Sequence, residues 1–208
     1  VLQTRLQQLK ALESENKRLR NLLHAGARLA SKIQLAELVK VTLHGSSHPV
    51  LINRGAADGV IVGLPVIDEG GVVGQVTRVG SFRSAVTLLT DPAQGVPVQT
   101  VRTGLRAIAF GAGGSRKLRL LYVDRNADIR IGDLLVTSGL GGIYPSRYPV
   151  AHVSEIKRYV DEAFMAVQAM PSARLNKGRQ VVLVWHDSAE SPAELDPALP
   201  VAADSEND

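Results

Sequence analysis

The sequence predicts a mainly β protein in which an N-terminal coiled-coil α-helix leads into two small β-barrel domains. Three observations carry this expectation. Leucines recur at helical spacing through a proline-free N-terminal stretch. After Ser31 the period changes to short β-rich runs separated by Gly, Pro, Asn and Asp. Glycine is abundant, at 19 of 208 residues, while aromatic residues make up only 4%, a balance that suits tight turns around an aliphatic core.

The helix comes first, over residues 1–34. With Leu2 at heptad position a, the a positions include Leu2, Leu9, Asn16 and Leu23, and the d positions include Leu12 and Leu19. These six residues form the expected dimerisation seam. Asn16 at an a position favours a parallel, in-register pair, because the amide bonds its symmetry mate at some cost in stability. Arg5 and Gly26 fall at d and weaken the two ends of the seam, and Ile33 occupies the last d position. The same pattern also suits an amphipathic helix folded onto its own domain.

The strands follow, expected over Val39–Leu43, Val50–Asn53, Pro65–Ile67, Val72–Val79, Ala85–Leu89, Val96–Val101, Arg106–Ala109, Lys117–Val123, Leu134–Thr137, Val150–Ile156, Ala163–Ala169 and Gln180–Trp185. No helical run long enough for a parallel crossover separates them, which argues for antiparallel barrels or sandwiches. A weak internal repeat divides the set. Ala57–Val66 resembles Ala127–Val136, and each is followed by a turn and a strand with alternating valines, Gly71–Val76 and Tyr148–Val153. We therefore expect a first barrel over 35–104, open to strands from the C-terminal part, and a second over 105–185. Chance convergence of turn and strand patterns would produce a similar echo. Gly63 and Gly132 stand at matching turns, where a left-handed backbone explains glycine without any ligand.

Charge is unevenly distributed. Residues 186–208 hold seven acidic residues and no Lys or Arg, which reads as an acidic disordered tail, while the rest of the chain carries 24 basic and 13 acidic residues. A basic body fits anionic lipid or an acidic partner. The absence of an aromatic–basic stacking cluster argues against nucleic acid. With no cysteine, disulfides and thiolate metal sites are excluded. The chain opens at Val1 in mid-helical pattern, and an N-terminal signal or anchor is expected to precede it.

A catalytic centre is not legible. Ser138, in Thr137-Ser138-Gly139-Leu140-Gly141-Gly142, invites a serine-hydrolase reading in a two-barrel protein, but no nucleophile-elbow motif surrounds it. His44 and His48 flank a Gly-Ser-Ser turn with no carboxylate nearby in sequence. Gly111–Lys117 is glycine-rich and basic but lacks the helix that a phosphate loop requires. We expect no enzyme activity, cofactor or metal.

Several segments carry a family signature: Asn53-Arg54-Gly55-Ala56-Ala57-Asp58-Gly59-Val60, the turn at Gly63, Leu88-Leu89-Thr90-Asp91-Pro92, Arg102-Thr103-Gly104, and Ala127–Val136, with Gly132 and Asp133, running into Thr137-Ser138-Gly139-Leu140-Gly141-Gly142. With the helix segment Leu12–Arg20, these resemble the family of the rod-shape-determining protein MreC over residues 1–185. One departure is Arg147, which stands where the family commonly has glycine. The resemblance implies two barrels in a chymotrypsin-like arrangement without catalysis. It implies the periplasmic region of a protein anchored in the bacterial inner membrane. It further implies a scaffold of the cell-elongation machinery that self-associates as a homodimer or beyond. The implied partners are the elongation-specific penicillin-binding transpeptidase, which it would bind and activate, and MreD, RodA and MreB. Tyr159 and Phe164 are candidate partner anchors, although a residue of this kind is more often simple core packing. The competing readings are a diverged two-barrel serine hydrolase and a periplasmic adaptor of a secretion assembly, the latter normally showing two heptad segments where one is visible.

Overall fold

The computed structural model describes residues 7, 11–12, 14–21, 32–41, 49–113, 116–159, 162–174 and 180–185. Residues 14–21 are helical. Of the expected seam, Leu12, Asn16 and Leu19 lie among the described residues, while Leu2, Leu9 and Leu23 lie outside them, as do His44, His48 and the acidic tail. Leu12 is 61% exposed, so this chain's own barrels do not bury it.

Twelve strands follow: β1 (Lys32–Val41), β2 (Val50–Ile52), β3 (Pro65–Ile67), β4 (Val72–Val79), β5 (Ser84–Leu88), β6 (Gly95–Thr100), β7 (Arg106–Gly111), β8 (Leu118–Leu121), β9 (Leu134–Thr137), β10 (Pro149–Lys157), β11 (Ala166–Pro171) and β12 (Gln180–Trp185). They form two closed barrels, in the order β1-β12-β3-β4-β5-β2 and β10-β11-β8-β7-β6-β9. All recorded ladders are antiparallel.

Two expected boundaries are corrected. The helix assigned to 1–34 overruns, because Lys32, Ile33 and Gln34 pair with Trp185, Val184 and Leu183 as the start of β1. The division at 104/105 also moves. β6 pairs with β7 and β9 and so belongs to the second barrel, while β12 inserts between β1 and β3 to close the first. The local chemistry explains the first of these moves. Asp91 Oδ1 accepts the Ala93 N–H at 2.9 Å and the Gln94 N–H bonds the Asp91 carbonyl, making a turn directly after β5. β6 then forms a tight hairpin with β7, whose turn is held by Leu105 N–H donating to Thr100 Oγ1 at 3.0 Å. Short-range antiparallel pairing thus claims β6 before it can return to the first barrel.

With that exchange the two barrels have the same connectivity. β1 to β5 correspond to β7 to β11, and the sixth strand is β12 in one and β6 in the other. The repeat visible in the sequence aligns β3 with β9 and β4 with β10. Gly63 and Gly132, in the matching turns, have φ of 94° and 91°, a left-handed region open to glycine at little cost.

One core cluster lies within the first barrel, around Ile52, Val66, Val76, Val86 and Leu183. The other joins the second barrel's interior to Ile67, Val72, Val182 and Val184 of the first. Adjacent residues of β12 therefore serve different purposes: Val181 and Leu183 fill the first barrel, while Val182 and Val184 seal it against the second, as the strand's period of two dictates. Polar bonds reinforce the junction. Gln94 Nε2 donates to Gln75 Oε1 at 2.9 Å and to the buried Tyr144 Oη at 3.0 Å, and Gln75 Nε2 donates to the Gly63 carbonyl. The β3–β4 turn wedges between segments of the second unit. A Cβ on Gly70 would meet the Ser172 carbonyl oxygen at 2.3 Å, and one on Gly71 the Pro149 carbonyl oxygen at 2.2 Å. Asp68, buried in the same turn, accepts the N–H groups of Gly70, Gly71 and Arg174 at 2.7, 2.9 and 2.6 Å.

Candidate functional site

Closing both barrels removes free strand edges, so recognition by the β body has to use side chains. Among the described residues, the outer surface of the second barrel offers a continuous apolar set. On β7 the inward residues Ala109 and Gly111 are buried, which turns Arg106, Ile108 and Phe110 outward. On β8, Leu118 and Leu120 point in and Arg119 and Leu121 point out. The register then aligns Pro97, Ile108 and Leu121 in one row across β6, β7 and β8. Gly95, Phe110, Arg119 and Gln168 make the next row, reaching β11. A Cβ at Gly95 would meet Phe110 Cε1 and Cζ at 2.9 Å, so the ring lies over the glycine and shields its strand. Ile108 is 38% exposed.

An aromatic pair borders these rows. Phe164, 49% exposed, bridges Asp124, and Tyr122 rests edge-on against it, with ring centroids 5.9 Å apart and planes at 85°. Tyr122 is 70% exposed and holds φ of 60°, a conformation that costs a non-glycine residue roughly 1–2 kcal/mol. Of the two expected anchors, Phe164 stands in this border. Tyr159 is exposed in the β10–β11 connection, and the ring paired with Phe164 is Tyr122 instead.

The surrounding charge is basic. Arg106 and Arg119 are exposed and neither makes an ion pair among the described residues. Lys117 bonds Gln168 Oε1 at 2.9 Å and lies 3.7 Å from Glu155. Apolar rows with a guanidinium at each flank suit a partner that presents aliphatic or aromatic side chains beside carboxylates.

The motif residues have local structural tasks. Asn53 closes β1 to β2 reciprocally, its N–H donating to the Glu37 carbonyl and its Oδ1 accepting the Glu37 N–H. Asp58 accepts the Gly55 N–H at 3.0 Å, Gly59 follows with φ of 79°, and a Cβ on Gly55 would meet the Gly80 carbonyl oxygen at 2.4 Å. Pro92 follows Asp91 in the interbarrel turn, where a Cβ on Gly113 would come within 2.9 Å of its Cγ. Arg102 grips Asp133 through Nε and Nη2, both at 2.9 Å, and Asp128 through Nη1 at 2.6 Å, tying the β6–β7 hairpin to the segment before β9. This guanidinium holds both carboxyls below the ordinary aspartate range. Gly139, Gly141 and Gly142 all have positive φ. Ser138 Oγ accepts the Leu140 N–H at 3.3 Å, and among the described residues no hydrogen bond joins Ser138 to a histidine. His152 Nδ1 instead lies 3.3 Å from Ser172 Oγ.

Arg147 holds φ of 70° while its N–H bonds the Thr137 carbonyl at 2.8 Å. Arg147→Gly is therefore expected to raise stability by about 0.5–1 kcal/mol, the relief of left-handed strain exceeding the added entropy of the unfolded chain. Urea denaturation measures it, and an unchanged or lower midpoint would contradict the strain assignment.

The family model described as "Rod shape-determining protein MreC, barrel core" matches residues 38–185. The "Cell shape-determining protein MreC" of Haemophilus influenzae is 43% identical over 188 residues, covering 90% of this chain and 52% of that protein. The chain spans about half the length of the curated relatives it matches. The crystal structure of MreC from Pseudomonas aeruginosa aligns with TM-score 0.72 at 44% identity, over 74% of this chain and all of the other. A complex between penicillin-binding protein PBP2 and MreC from Helicobacter pylori shares the fold, with TM-score 0.58 at 17% identity, over 74% of this chain and 98% of that one.

Proposed function

The chain belongs to the MreC family of rod shape-determining proteins, and from that premise we propose that it acts as a periplasmic scaffold of the cell-elongation machinery. In this reading it binds and activates the elongation-specific penicillin-binding transpeptidase through the outer face of β6, β7, β8 and β11. The observation that carries the proposal is the outward apolar set Pro97, Ile108, Phe110 and Leu121, bordered by Tyr122 and Phe164. The Helicobacter pylori complex, in which an MreC meets a penicillin-binding protein, supports the choice of partner. An anchor in the inner membrane and contacts with MreD, RodA and MreB complete the proposed setting.

Self-association belongs to the same proposal. Leu12 is largely exposed on one chain, and pairing the seam Leu2, Leu9, Leu12, Asn16, Leu19 and Leu23 with a second copy would bury it. Mass measurement of the free chain tests this, a monomer at high concentration counting against it.

The binding face is tested with the transpeptidase ectodomain. Ile108→Glu places a carboxylate in the centre of the apolar row and is expected to weaken binding roughly thirtyfold, as for a central anchor worth about 2 kcal/mol. Phe82→Glu, at a first-barrel residue that is 75% exposed, is expected to leave binding unchanged. The reverse pattern would move the partner site to the first barrel.

A further inference from the structure

The first barrel carries an apolar tip that the proposed transpeptidase face does not use. Phe82, at 75%, is the most exposed large apolar side chain among the described residues. It sits in the β4–β5 turn, where the Gly80 N–H donates to the Arg83 carbonyl at 2.8 Å. The connection between β2 and β3 lies against this turn. The N–H groups of Ala56 and Ala57 donate to the Gly80 and Ser81 carbonyls at 2.9 and 3.1 Å, and the Gly63 N–H donates to the Val76 carbonyl at 2.8 Å. Between those attachments Ile61 and Val62 are 58% and 63% exposed. We infer that this tip docks on an anionic lipid surface. Phe82, Ile61 and Val62 enter the boundary between headgroups and acyl chains, while Lys32, Arg78 and Arg83 meet the lipid phosphates.

Three observations favour lipid as the occupant. The first is charge. Arg78 and Arg83 are exposed, and neither makes an ion pair among the described residues. A Cβ on Gly59 would lie 3.7 Å from Lys32 Nζ, so the first residue of β1 brings its ammonium to the same loop. The carboxylate within that loop, Asp58, already accepts the Gly55 N–H at 3.0 Å and faces Arg54 at 3.8 Å. Each cation close to an anionic membrane strengthens binding about fivefold. The second is the backbone. A segment that enters the interface leaves water, and a carbonyl without a partner makes that transfer costly. At this tip the carbonyls of Gly80, Ser81 and Arg83 already accept N–H groups from the neighbouring loop and from the turn itself. The third is shape. A ring on a convex turn at the end of a closed barrel, with cations around it, suits the interfacial zone, where aromatic and basic side chains are both favoured. The proposed inner-membrane setting supplies such a surface. The binding itself rests neither on that setting nor on the transpeptidase face.

The chain has no cysteine, so Ser81→Cys in the full chain places a single environment-sensitive fluorophore beside Phe82. With vesicles of phosphatidylethanolamine and phosphatidylglycerol at low salt, the chain is expected to co-sediment and the label to shift to the blue. Vesicles of phosphatidylcholine alone are expected to do neither. Phe82→Glu is expected to weaken vesicle binding about tenfold, and the Arg78→Gln, Arg83→Gln double variant about twenty-fivefold. Salt that shortens the Debye length well below about 10 Å should weaken binding of the native chain as well. All three side chains are exposed, so urea midpoints are expected to stay unchanged, and the label shift needs none of these variants. Absent binding to the anionic vesicles, full binding by Phe82→Glu, or a blue shift at Tyr122→Cys without one at Ser81→Cys would each overturn the inference. Loss of ectodomain binding in Phe82→Glu with vesicle binding intact would assign the tip to a protein partner instead. The vesicle measurement contains no transpeptidase, so the two readings fail separately.

Discussion

A fragment of residues 35–104, the first barrel as sequence order divides the chain, is expected not to fold. It lacks β12, which pairs with both β1 and β3. Without that strand the barrel opens along two edges and loses Val181 and Leu183, each no more than 1% exposed, from its core. Two such side chains represent roughly 3–6 kcal/mol of burial, against a total stability of about 5–15 kcal/mol for a typical domain. The fragment also carries β6 without β7 and β9, leaving Val96 and Val98 with no interior to fill. Circular dichroism and amide shift dispersion are expected to show an unfolded or aggregating chain, while residues 32–185 unfold cooperatively. A dispersed spectrum and a sharp transition for 35–104 would mean that the first barrel closes without β12.

Asp68→Ala is expected to cost about 3 kcal/mol at neutral pH. Its carboxylate receives three N–H groups, two from its own turn and one from Arg174 on the segment returning from the second barrel. Losing the acceptor strands three donors, of which the buried Gly71 N–H pays the most, at about 1–3 kcal/mol per unsatisfied group. The neighbouring ion pair of Arg174 with Glu69 is exposed on the arginine side and holds the segment only weakly. Burial pushes the Asp68 carboxyl above its ordinary range, and the three N–H groups pull it back only in part. The folded chain therefore holds this proton more tightly than the unfolded chain. The proton-linked part of Asp68's contribution is fully present below the unfolded aspartate value, about 3.9, and declines as pH rises through the folded value, while the three hydrogen bonds to its carboxylate persist at neutral pH. Asp128 and Asp133 act oppositely, their contribution present above the ordinary range and lost as acid protonates them. Urea midpoints of the native chain and Asp68→Asn across acidic pH isolate the first slope. Equal slopes would mean that Asp68 titrates as an ordinary surface carboxylate.

Much of the scaffold was legible because strand formation leaves a short-range pattern. Pro65–Ile67, Val72–Val79, Leu134–Thr137 and Gln180–Trp185 have the bounds that their turn residues and alternation imply. The requirement for glycine at Gly63 and Gly132 was visible from the repeat, and the departure at Arg147 pointed to a residue with φ of 70°. The proposed binding face was less legible. Phe164 could be suspected, but Tyr122 and Ile108 stood only as members of the expected strands Lys117–Val123 and Arg106–Ala109. Alternation divides a strand into two faces without saying which one the barrel encloses. For Ile108 that is decided by its pairing with Pro97 and Leu121, from two other strands.

By itself the sequence determined the elements, the turns between them, the uneven charge and the family, since each is written in neighbouring residues or in a motif. Tertiary structure alone decided which barrel each strand completes. β6 alternates valines with other residues and β12 is a continuous aliphatic run buried on both faces, but nothing within either states its partner. Their assignment follows from competition. β6 is taken by the hairpin with β7, and the gap between β1 and β3 passes to β12, which follows all the other strands in the chain. Pairing over that separation depends on loop closure and on the shape left open by the other strands, quantities that belong to the assembled body.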